Sequence, residues 1–288
     1  MSPRVGVRCC RGGDQPFAFC LHECRRGHCQ YPLAMLKYLE QSEASRAGIS
    51  HSVTTLLGCS RRYYLQQRVE YYEHPDEAVA RYVGDAVHAY TDALLKDEVG
   101  YVGETRIFCQ VPDDEGHPFL LSGQADQRWF GTKVIDLKTT REIPAVPWSS
   151  HVAQVNAYAY MLGHGWDERG QPLRHQITDG QVIYLSPNQQ KVKVVPVPIW
   201  DPDTVLALFR RQIAVHRLVE ETGEYPPLLP AMVTRSRDGR HMVKRDTRCG
   251  WCPVRFECDR LAEEETGVSP NDAAYWERTT PIPGSQEG

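Results

Sequence analysis

The sequence predicts a mixed α/β fold, and three observations support this class. Predicted strands and helices alternate along the middle of the chain, a pattern that favours a mixed sheet flanked by helices. Hydrophobic residues make up 41% and charged residues 24% of the 288 residues, so the chain can bury a core. Cysteine-rich segments lie at both ends of this region, and we expect them to be metal-binding segments because the chain is long for a disulfide scaffold.

Hydrophobic periodicity and helix boundary signals predict each element. Apolar residues three and four positions apart predict helices over residues 53–70 and 76–96. A third helix is expected over residues 149–162, with Gly163 as its C-terminal cap, and a fourth starts after Asp201. The apolar stripe of the second helix includes Val79, Val83, Tyr90 and Leu94. Predicted strands cover residues 101–111, 119–130, 133–138, 181–185 and 191–197.

Composition divides the chain into three predicted regions. Residues 1–34 are a cysteine-rich segment, residues 35–265 form the main domain, and residues 266–288 form a flexible tail rich in Pro, Gly and Ser. No segment approaches the roughly 18 apolar residues of a membrane span, and the first residues lack a signal-peptide core. We therefore expect a cytoplasmic protein with no membrane partner. The net charge of -4 argues against a histone-like basic surface, although local basic patches could still bind nucleic acid.

A carboxylate and a lysine lie close together on the third predicted strand. Strand alternation places Asp136 and Lys138 on one face, with Ile135 and Leu137 on the other. A carboxylate can hold Mg²⁺ or Mn²⁺ while a neighbouring lysine steadies an attacking water, a combination that suits phosphodiester cleavage. Taken alone, such a pair is more commonly a surface ion pair.

Three further patterns occur around this pair in a fixed order. His88 lies on the second predicted helix and Asp126 on the strand before Asp136, while Gln154 and Tyr158 lie four residues apart on the next helix. For any one of these residues a structural role is the commoner outcome. Their joint occurrence favours a shared site.

This order of motifs resembles the PD-(D/E)XK nuclease superfamily, in its RecB-like branch. The matching motifs are GxxxH at 84–88, GxxD at 123–126, DxK at 136–138 and QxxxY at 154–158. The resemblance covers roughly residues 53–262 and implies a restriction-endonuclease-like mixed central sheet flanked by helices. It also implies a divalent-metal-dependent deoxyribonuclease, most commonly an exonuclease acting on single-stranded DNA ends.

The resemblance implies a role for each matching residue. Mg²⁺ or Mn²⁺ would be bound by His88, Asp126, Asp136 and the main-chain carbonyl of Leu137. Lys138 would be catalytic, and Gln154 and Tyr158 would support the site or the DNA.

Strand register provides a geometric test of the metal site. A two-residue hairpin at Gly131 and Thr132 would place Gln127 opposite Asp136, and Asp126 would then point to the other face. A three-residue turn that pairs Trp129 with Lys133 would bring Asp126 opposite Asp136. The shared metal therefore requires the longer turn, with Gly131 in the left-handed conformation.

Four cysteines near the ends of the main domain could form a second metal site. These are Cys59, Cys249, Cys252 and Cys258. Four thiolates suit structural zinc as well as an iron–sulfur cluster. A lone upstream cysteine with a C-terminal triplet resembles the iron–sulfur nucleases of the RecB-like branch, including AddB-type and CRISPR-associated exonucleases, and this implies a [4Fe–4S] cluster. Such a cluster would clamp the C-terminal segment onto the first helix.

Basic residues lie next to these cysteines in the sequence. The candidates for a DNA-binding path are Arg61, Arg62, Arg240, Lys244 and Arg245. A charge run is more often a solvated face, but beside a nuclease site it favours phosphate binding.

The N-terminal cysteines fit the RecB-like pattern poorly. Cys20, Cys24 and Cys29, joined by Cys9 or Cys10, have the ligand type of a small zinc module, although their spacing is not diagnostic. The alternative is a flexible arm with fortuitous thiols. Cys109 lies on a predicted strand and is expected to be a buried small hydrophobe.

Together these features predict a metal-dependent DNA nuclease with an iron–sulfur cluster. One alternative is a DNA-end-binding or integration-accessory subunit that needs a partner for activity; another is a redox or iron-sensing module. The protein partners implied by the resemblance belong to recombination, repair or CRISPR adaptation. The sequence contains no phosphate-binding GKS or GKT motif, so we expect that this chain does not encode a fused ATP-driven helicase.

Overall fold

The computed structural model describes residues 4–9, 12–24, 29–41, 51–235 and 241–279. The chain divides into two units. The cysteine unit comprises Met1–Ala44, Cys59–Glu77 and Glu224–Gly288, and the sheet unit comprises Ser45–Gly58 and Ala78–Gly223.

The sheet unit contains two sheets. In chain order its strands are β3 (His51–Ser52), β5 (Tyr101–Val102), β6 (Thr105–Pro112), β7 (Pro118–Ala125), β8 (Gln127–Trp129), β9 (Lys133–Thr139), β10 (Trp166–Asp167), β11 (Asp179–Ser186) and β12 (Lys191–Val197). The four-stranded sheet has the order β10-β6-β7-β3, and the five-stranded sheet has the order β12-β11-β9-β8-β5. Because β9 pairs with β11 in parallel and with β8 antiparallel, the predicted mixed sheet is confirmed.

Helices cover these sheets and close the core. They are α2 (Val53–Leu56), α4 (Pro75–Leu95), α5 (Ser149–His164) and α6 (Pro202–Thr222). Val155 and Met161 of α5 and Phe209 and Ile213 of α6 are fully buried with the inward residues of both sheets. The Asp201 side chain accepts a hydrogen bond from the Asp203 N–H, which confirms the predicted start of α6.

The structure corrects three predicted element boundaries and the predicted burial of one apolar stripe. The helix predicted over residues 53–70 is interrupted, because Cys59 has an extended conformation and caps a separate helix. The strand predicted over residues 119–130 breaks at Asp126. Helix α5 runs past Gly163 to Gly165, where a side chain would collide with the Phe108 carbonyl. The α4 stripe is exposed at Val79, Val83, Tyr90 and Leu94.

The cysteine unit is built from short elements. They are β1 (Arg4–Arg8), β2 (Asp14–Pro16), a π-helix (Phe19–Glu23), α1 (Leu33–Gln41), α3 (Ser60–Arg68), β4 (Tyr71–Glu73), β13 (Met232–Arg235), β14 (His241–Lys244), a 3₁₀ turn (Thr247–Trp251), α7 (Arg255–Thr266) and α8 (Ala273–Thr279). Strand β1 lies between β2 and β4, and β13 pairs with β14.

The residues after 266 do not all form the expected flexible tail. Tyr275 and Trp276 of α8 are buried with Leu228 and Ala262, so this segment packs onto the cysteine unit up to Thr279. Residues 280–288 lie outside the described part of the chain. Among the described residues, no helix is both long and apolar enough to cross a membrane.

Candidate active site

Strand register brings the two predicted aspartates to one place. Trp129 pairs with Lys133 across β8 and β9, so the connection is the three-residue turn that the metal site requires. Phe130 and Gly131 both have positive φ, at 52° and 69°, and the Thr132 N–H donates to the Trp129 carbonyl at 3.1 Å. Continuing this register by one step places Asp126 opposite Asp136. The predicted turn is therefore confirmed.

Glu104 is a site residue that the sequence motifs did not reveal. Strands β6 and β7 pair Thr105 with Ala125, and one further step places Glu104 opposite Asp126. The Gln124 side-chain amide donates to Glu104 Oε2 at 2.8 Å and fixes this carboxylate. The sequence signal for Glu104 is its position: it is an acidic residue just before β6, and β6 pairs with β7, the strand of the GxxD motif.

His88 lies between these carboxylates and the next strand. Its Nδ1 is 3.2 Å from Glu104 Oε1 and 3.4 Å from Asp126 Oδ1, while its Nε2 is 2.9 Å from the Leu137 carbonyl oxygen. Burial by itself lowers the pKa of His88, but hydrogen bonds and charges from Asp126 and Glu104 outweigh burial and raise the pKa to about 10. In the metal-free protein His88 is therefore an imidazolium that donates from both nitrogens.

The backbone of Leu137 also contributes to this arrangement. Its N–H donates to Asp126 Oδ2 at 2.6 Å, and its carbonyl accepts from His88. The predicted main-chain ligand thus lies at the site, within the same hydrogen-bond network as Asp126 and His88.

Asp136 is the most buried member of the site. Its side chain is 0% exposed, and its Oδ1 accepts from Lys138 Nζ at 2.8 Å. Its other oxygen, Oδ2, is buried and has no hydrogen-bond partner among the described residues. Burial raises the pKa of Asp136, the Lys138 charge opposes this shift, and the Asp126 charge adds to it. A buried carboxylate oxygen without a partner is costly unless a cation or donor reaches it.

Lys138 remains a cation in this setting. Burial alone would lower its pKa, but the charges of Asp136 and Asp126 outweigh burial and raise the pKa. The side chain is 22% exposed, so the ammonium can still reach a substrate at the surface of the site. It can donate hydrogen bonds and stabilise negative charge, but it is a poor base.

Gln154 and Tyr158 pack beneath the strand that carries Asp126. Gln154 Nε2 donates to the Tyr158 hydroxyl at 3.0 Å, and Tyr158 is buried. A side chain at Gly123 would lie 2.9 Å from the Tyr158 ring, so glycine is needed for this close packing of α5 against β7. These contacts place Tyr158 against β7, the strand that ends just before Asp126.

An aromatic group adjoins Lys138. The Tyr184 hydroxyl lies 3.0 Å from His151 Nδ1 and accepts from the Trp148 N–H at 3.3 Å. The Trp148 ring packs edge-on against His151, and its side chain is 48% exposed. Burial and then the Lys138 charge lower the pKa of His151 to about 4, so this imidazole is neutral at physiological pH. The sequence motifs did not identify Trp148 or Tyr184.

The donor set fits a divalent metal ion. Ligand atoms of His88, Glu104 and Asp126 all lie within 4.8 Å of one another, and no other such group of three occurs in the described ranges. Carboxylate and carbonyl oxygens with an imidazole nitrogen suit Mn²⁺ and, in their oxygen ligands, Mg²⁺. The unsatisfied Oδ2 of Asp136 supplies one further oxygen.

Metal binding at this site should release protons. A histidine ligates only as a neutral imidazole, so an ion that uses His88 must displace the proton held with a pKa of about 10. We expect affinity for Mn²⁺ to rise up to tenfold per pH unit from pH 6 to 9, with about one proton released per ion. Calorimetry in buffers of different ionisation enthalpy measures this number.

Two variants control the proton-release measurement. His88→Gln should bind more weakly and lose most of the proton release, whereas His164→Gln, on the exposed end of α5, should match the wild type. Equal proton release in all three proteins would contradict the assignment of His88 as a ligand.

The four cysteines predicted to bind a second metal line one pocket in the cysteine unit. Cys59 caps α3, Cys249 lies in the 3₁₀ turn, Cys252 follows that turn, and Cys258 lies on α7. Burial raises the pKa of Cys249, Cys252 and Cys258.

Two of the arginines that the sequence predicts to bind DNA are buried instead of exposed. Arg61 is 2% exposed; it donates to the Pro226 carbonyl and pairs with Glu265. Arg245 is 7% exposed and pairs with Asp259 at 2.9 Å. Because both guanidiniums are buried and paired, we reassign them from DNA binding to support of the cysteine pocket that they line.

The remaining predicted DNA-binding residues and N-terminal cysteines have different positions, and two of them lie outside the described residues. Lys244 is exposed and Arg62 is half-buried, whereas Arg240 lies outside the described residues. Cys20, Cys24 and Cys29 line a separate pocket with Cys9, and Cys10 lies outside the described residues. Cys109 is fully buried on β6, as predicted.

Comparisons with known proteins identify a matching family model and similar solved structures. The family model described as the PD-(D/E)XK nuclease superfamily matches residues 115–259, which is half of the chain. The solved structure titled "Crystal structure of SSO0001" aligns with a TM-score of 0.49 and 19% identity, over 63% of this chain and 84% of that chain. No curated protein matches significantly.

Proposed function

This chain belongs to the PD-(D/E)XK nuclease superfamily, and from that premise we propose that it is a deoxyribonuclease that cleaves DNA from single-stranded ends. The family supports a metal-dependent nuclease. The observation that carries the proposal is the buried, partnerless Oδ2 of Asp136, next to Lys138 and the group formed by His88, Glu104 and Asp126.

The residues that would hold the ion are set by the fold before any ligand binds. His88, Glu104, Asp126, Asp136 and the Leu137 carbonyl would provide the ligands. When bound, Mg²⁺ or Mn²⁺ supplies Lewis-acid chemistry that neutralises phosphate charge and makes a water molecule more acidic. The carboxylates also attract the ion electrostatically, because Asp136 is held in a desolvated position beside them.

Lys138 would act on the substrate as a cation. Its ammonium is held 2.8 Å from Asp136 and keeps its charge, so it would orient the attacking water and stabilise negative charge developing on the phosphate. Gln154 and Tyr158 would position the strand beneath Asp126. These roles require no large movement of the three side chains.

An exposed aromatic surface supports a substrate with unstacked bases. Trp148 is 48% exposed next to the residues around Lys138, and the chemistry of its indole allows a base to stack on it. Stacking on an aromatic side chain contributes about 1–3 kcal/mol per base in single-strand binding proteins. We therefore favour single-stranded ends over continuous duplex.

We propose further that the pocket of Cys59, Cys249, Cys252 and Cys258 holds a [4Fe–4S] cluster. The support for this proposal is that all four cysteines line one pocket, and that a lone upstream cysteine with a C-terminal triplet resembles the iron–sulfur nucleases of the RecB-like branch. Four thiolates also suit structural zinc, which metal analysis distinguishes from iron. The pocket's arginines would offset the negative charge of four thiolates.

The DNA-end-binding accessory subunit remains the second candidate function. It would use the same fold and the exposed basic residues without hydrolysis by the isolated chain. Asp136 and Lys138 favour the enzyme, because a protein that only binds DNA has no need for a desolvated carboxylate beside a partly exposed ammonium.

The test is hydrolysis of DNA by anaerobically purified full-length protein. Substrates are single-stranded and double-stranded DNA labelled at either the 5′ or the 3′ end, with Mg²⁺, Mn²⁺ or chelator. We expect metal-dependent release of label from single strands, with faster release from the end where digestion starts. Absence of hydrolysis with either metal, together with tight binding to DNA ends, would replace the enzyme by the accessory subunit.

A further inference from the structure

A second cysteine pocket lies in the N-terminal part of the cysteine unit. Its lining includes Cys9, Cys20, Cys24 and Cys29. The rest of the lining is mainly apolar, with Phe19 and leucines of the π-helix and α1. Four thiols from three separate segments therefore face one cavity that shares no residue with the pocket of Cys59 and Cys249.

A tight turn presents the first of these thiols. Strands β1 and β2 form an antiparallel hairpin that pairs Arg8 with Asp14. At its tip the Cys9 N–H donates to the Gly13 carbonyl at 2.8 Å, and the Gly12 N–H donates to the Cys9 carbonyl at 2.9 Å. Gly12 and Gly13 have positive φ, so glycine suits this turn, and the backbone hydrogen bonds fix Cys9 in place.

A π-helical turn presents two more thiols. Cys20 lies within the π-helix Phe19–Glu23, and the Cys24 N–H donates to the Phe19 carbonyl at 2.9 Å. Residues four apart lie on one face of a helical turn, so both sulfurs can face the same cavity. Single π-turns are rare and occur frequently at functional sites.

The N-terminal segment buries few apolar side chains of its own. Its buried apolar side chains within residues 4–41 are Val7, Met35, Leu36 and Leu39. A segment this small usually needs a staple such as a structural metal. Ligand binding by several thiolates would contribute folding energy directly, and each ligating thiol would release its proton.

We propose that Cys9, Cys20, Cys24 and Cys29 form a second thiolate-ligated metal centre, independent of the nuclease site and of the other cysteine pocket. Of the two cysteines that the sequence left open, Cys9 lines the pocket, and Cys10 lies outside the described residues. The ligand is a thiophilic metal group. Four thiolates suit zinc and an iron–sulfur cluster alike, and the metal count below distinguishes the two.

The experiment counts metal in full-length protein prepared anaerobically and reconstituted with iron, sulfide and zinc. Wild-type protein should hold two thiolate centres, either about eight irons or about four irons and one zinc. Cys252→Ser should lose only the first centre. Cys20→Ser and Cys24→Ser should each lose only the second centre. If that centre is a cluster, iron content and visible absorbance fall; if it is zinc, zinc content falls and the visible absorbance does not change.

The controls separate metal binding from unfolding and from oxidation. Cys109→Ala removes a buried thiol outside both pockets and should keep the wild-type metal content. A single wild-type centre that is lost in Cys20→Ser would contradict the cluster of the first pocket, whereas a single centre that is lost in Cys252→Ser would overturn this proposal. So would unchanged metal in Cys20→Ser and Cys24→Ser, or an anaerobic wild-type mass showing disulfides among these cysteines.

Discussion

Asp136→Asn is expected to lower the rate of DNA hydrolysis by about 10³-fold or more, since it removes a charged ligand worth several kcal/mol of transition-state stabilisation. Lys138→Met should cause a comparable loss, because the ammonium that faces the phosphate disappears. Both variants should bind single-stranded DNA within about threefold of the wild type. End-labelled substrate and single-turnover kinetics measure the chemical step.

The stability of the Asp136 variant distinguishes a functional carboxylate from a structural one. Burial raises the pKa of Asp136, so its ionised form costs stability at every pH above the ordinary aspartate pKa. Asparagine removes that charge, and we expect its melting temperature at pH 7.5 to equal or exceed that of the wild type. Loss of activity with a fall in melting temperature would indicate a damaged fold.

A matched control lies on the same strand. Lys133 begins β9, three residues before Asp136, and pairs with Asp179 at 2.8 Å. Lys133→Gln should keep wild-type hydrolysis, because a partly exposed ion pair contributes little. Substantial hydrolysis by Asp136→Asn or Lys138→Met, in preparations free of other nucleases, would defeat the catalytic assignment.

Cys252→Ser should remove the cluster from the pocket of Cys59 and Cys249 and destabilise the cysteine unit. The expected loss is about 4 kcal/mol or more, because metal ligation provides folding energy and the three segments that meet at this pocket share few other buried contacts. A loss of this size lowers the melting temperature by roughly 10 °C in a chain of this length. Calorimetry, iron content and visible absorbance measure the effect.

The DNA hydrolysis that remains in Cys252→Ser tests whether the cysteine pocket and the nuclease site act independently. A cluster with four protein ligands has no open position for water, so any folded variant should keep its requirement for Mg²⁺ or Mn²⁺. Stoichiometric zinc without iron in anaerobic wild-type protein would replace the cluster by structural zinc. Unchanged cluster content in Cys59→Ser would show that the fourth ligand lies elsewhere.

Features encoded by local patterns could be predicted from the sequence. The alternation of residues 134–138 predicts a strand with Asp136 and Lys138 on one face, and the two side chains meet at 2.8 Å. The capping signal at Asp201 predicts the start of α6. The requirement that two carboxylates converge predicts the three-residue turn at Gly131, because strand register fixes which face each residue occupies.

Other features depend on segments that are distant in the chain, and local patterns carry no signal for them. Glu104 joins the site because β6 pairs with β7 in one register. Burial of Arg61 and Arg245 depends on Pro226, Glu265 and Asp259, which their own neighbours do not predict.

The sequence alone thus determined which residues form the candidate site and the order in which they occur. This is because strand period, turn length and motif spacing are local properties of the chain. Their surroundings were decided by tertiary packing. Burial of Asp136 leaves Oδ2 without a partner, and the same burial sets the direction of its pKa shift. Cys9 lies near Cys20, Cys24 and Cys29 only because a hairpin, a π-turn and the connection before α1 converge. Such convergence depends on contacts between segments, so only the folded chain specifies it.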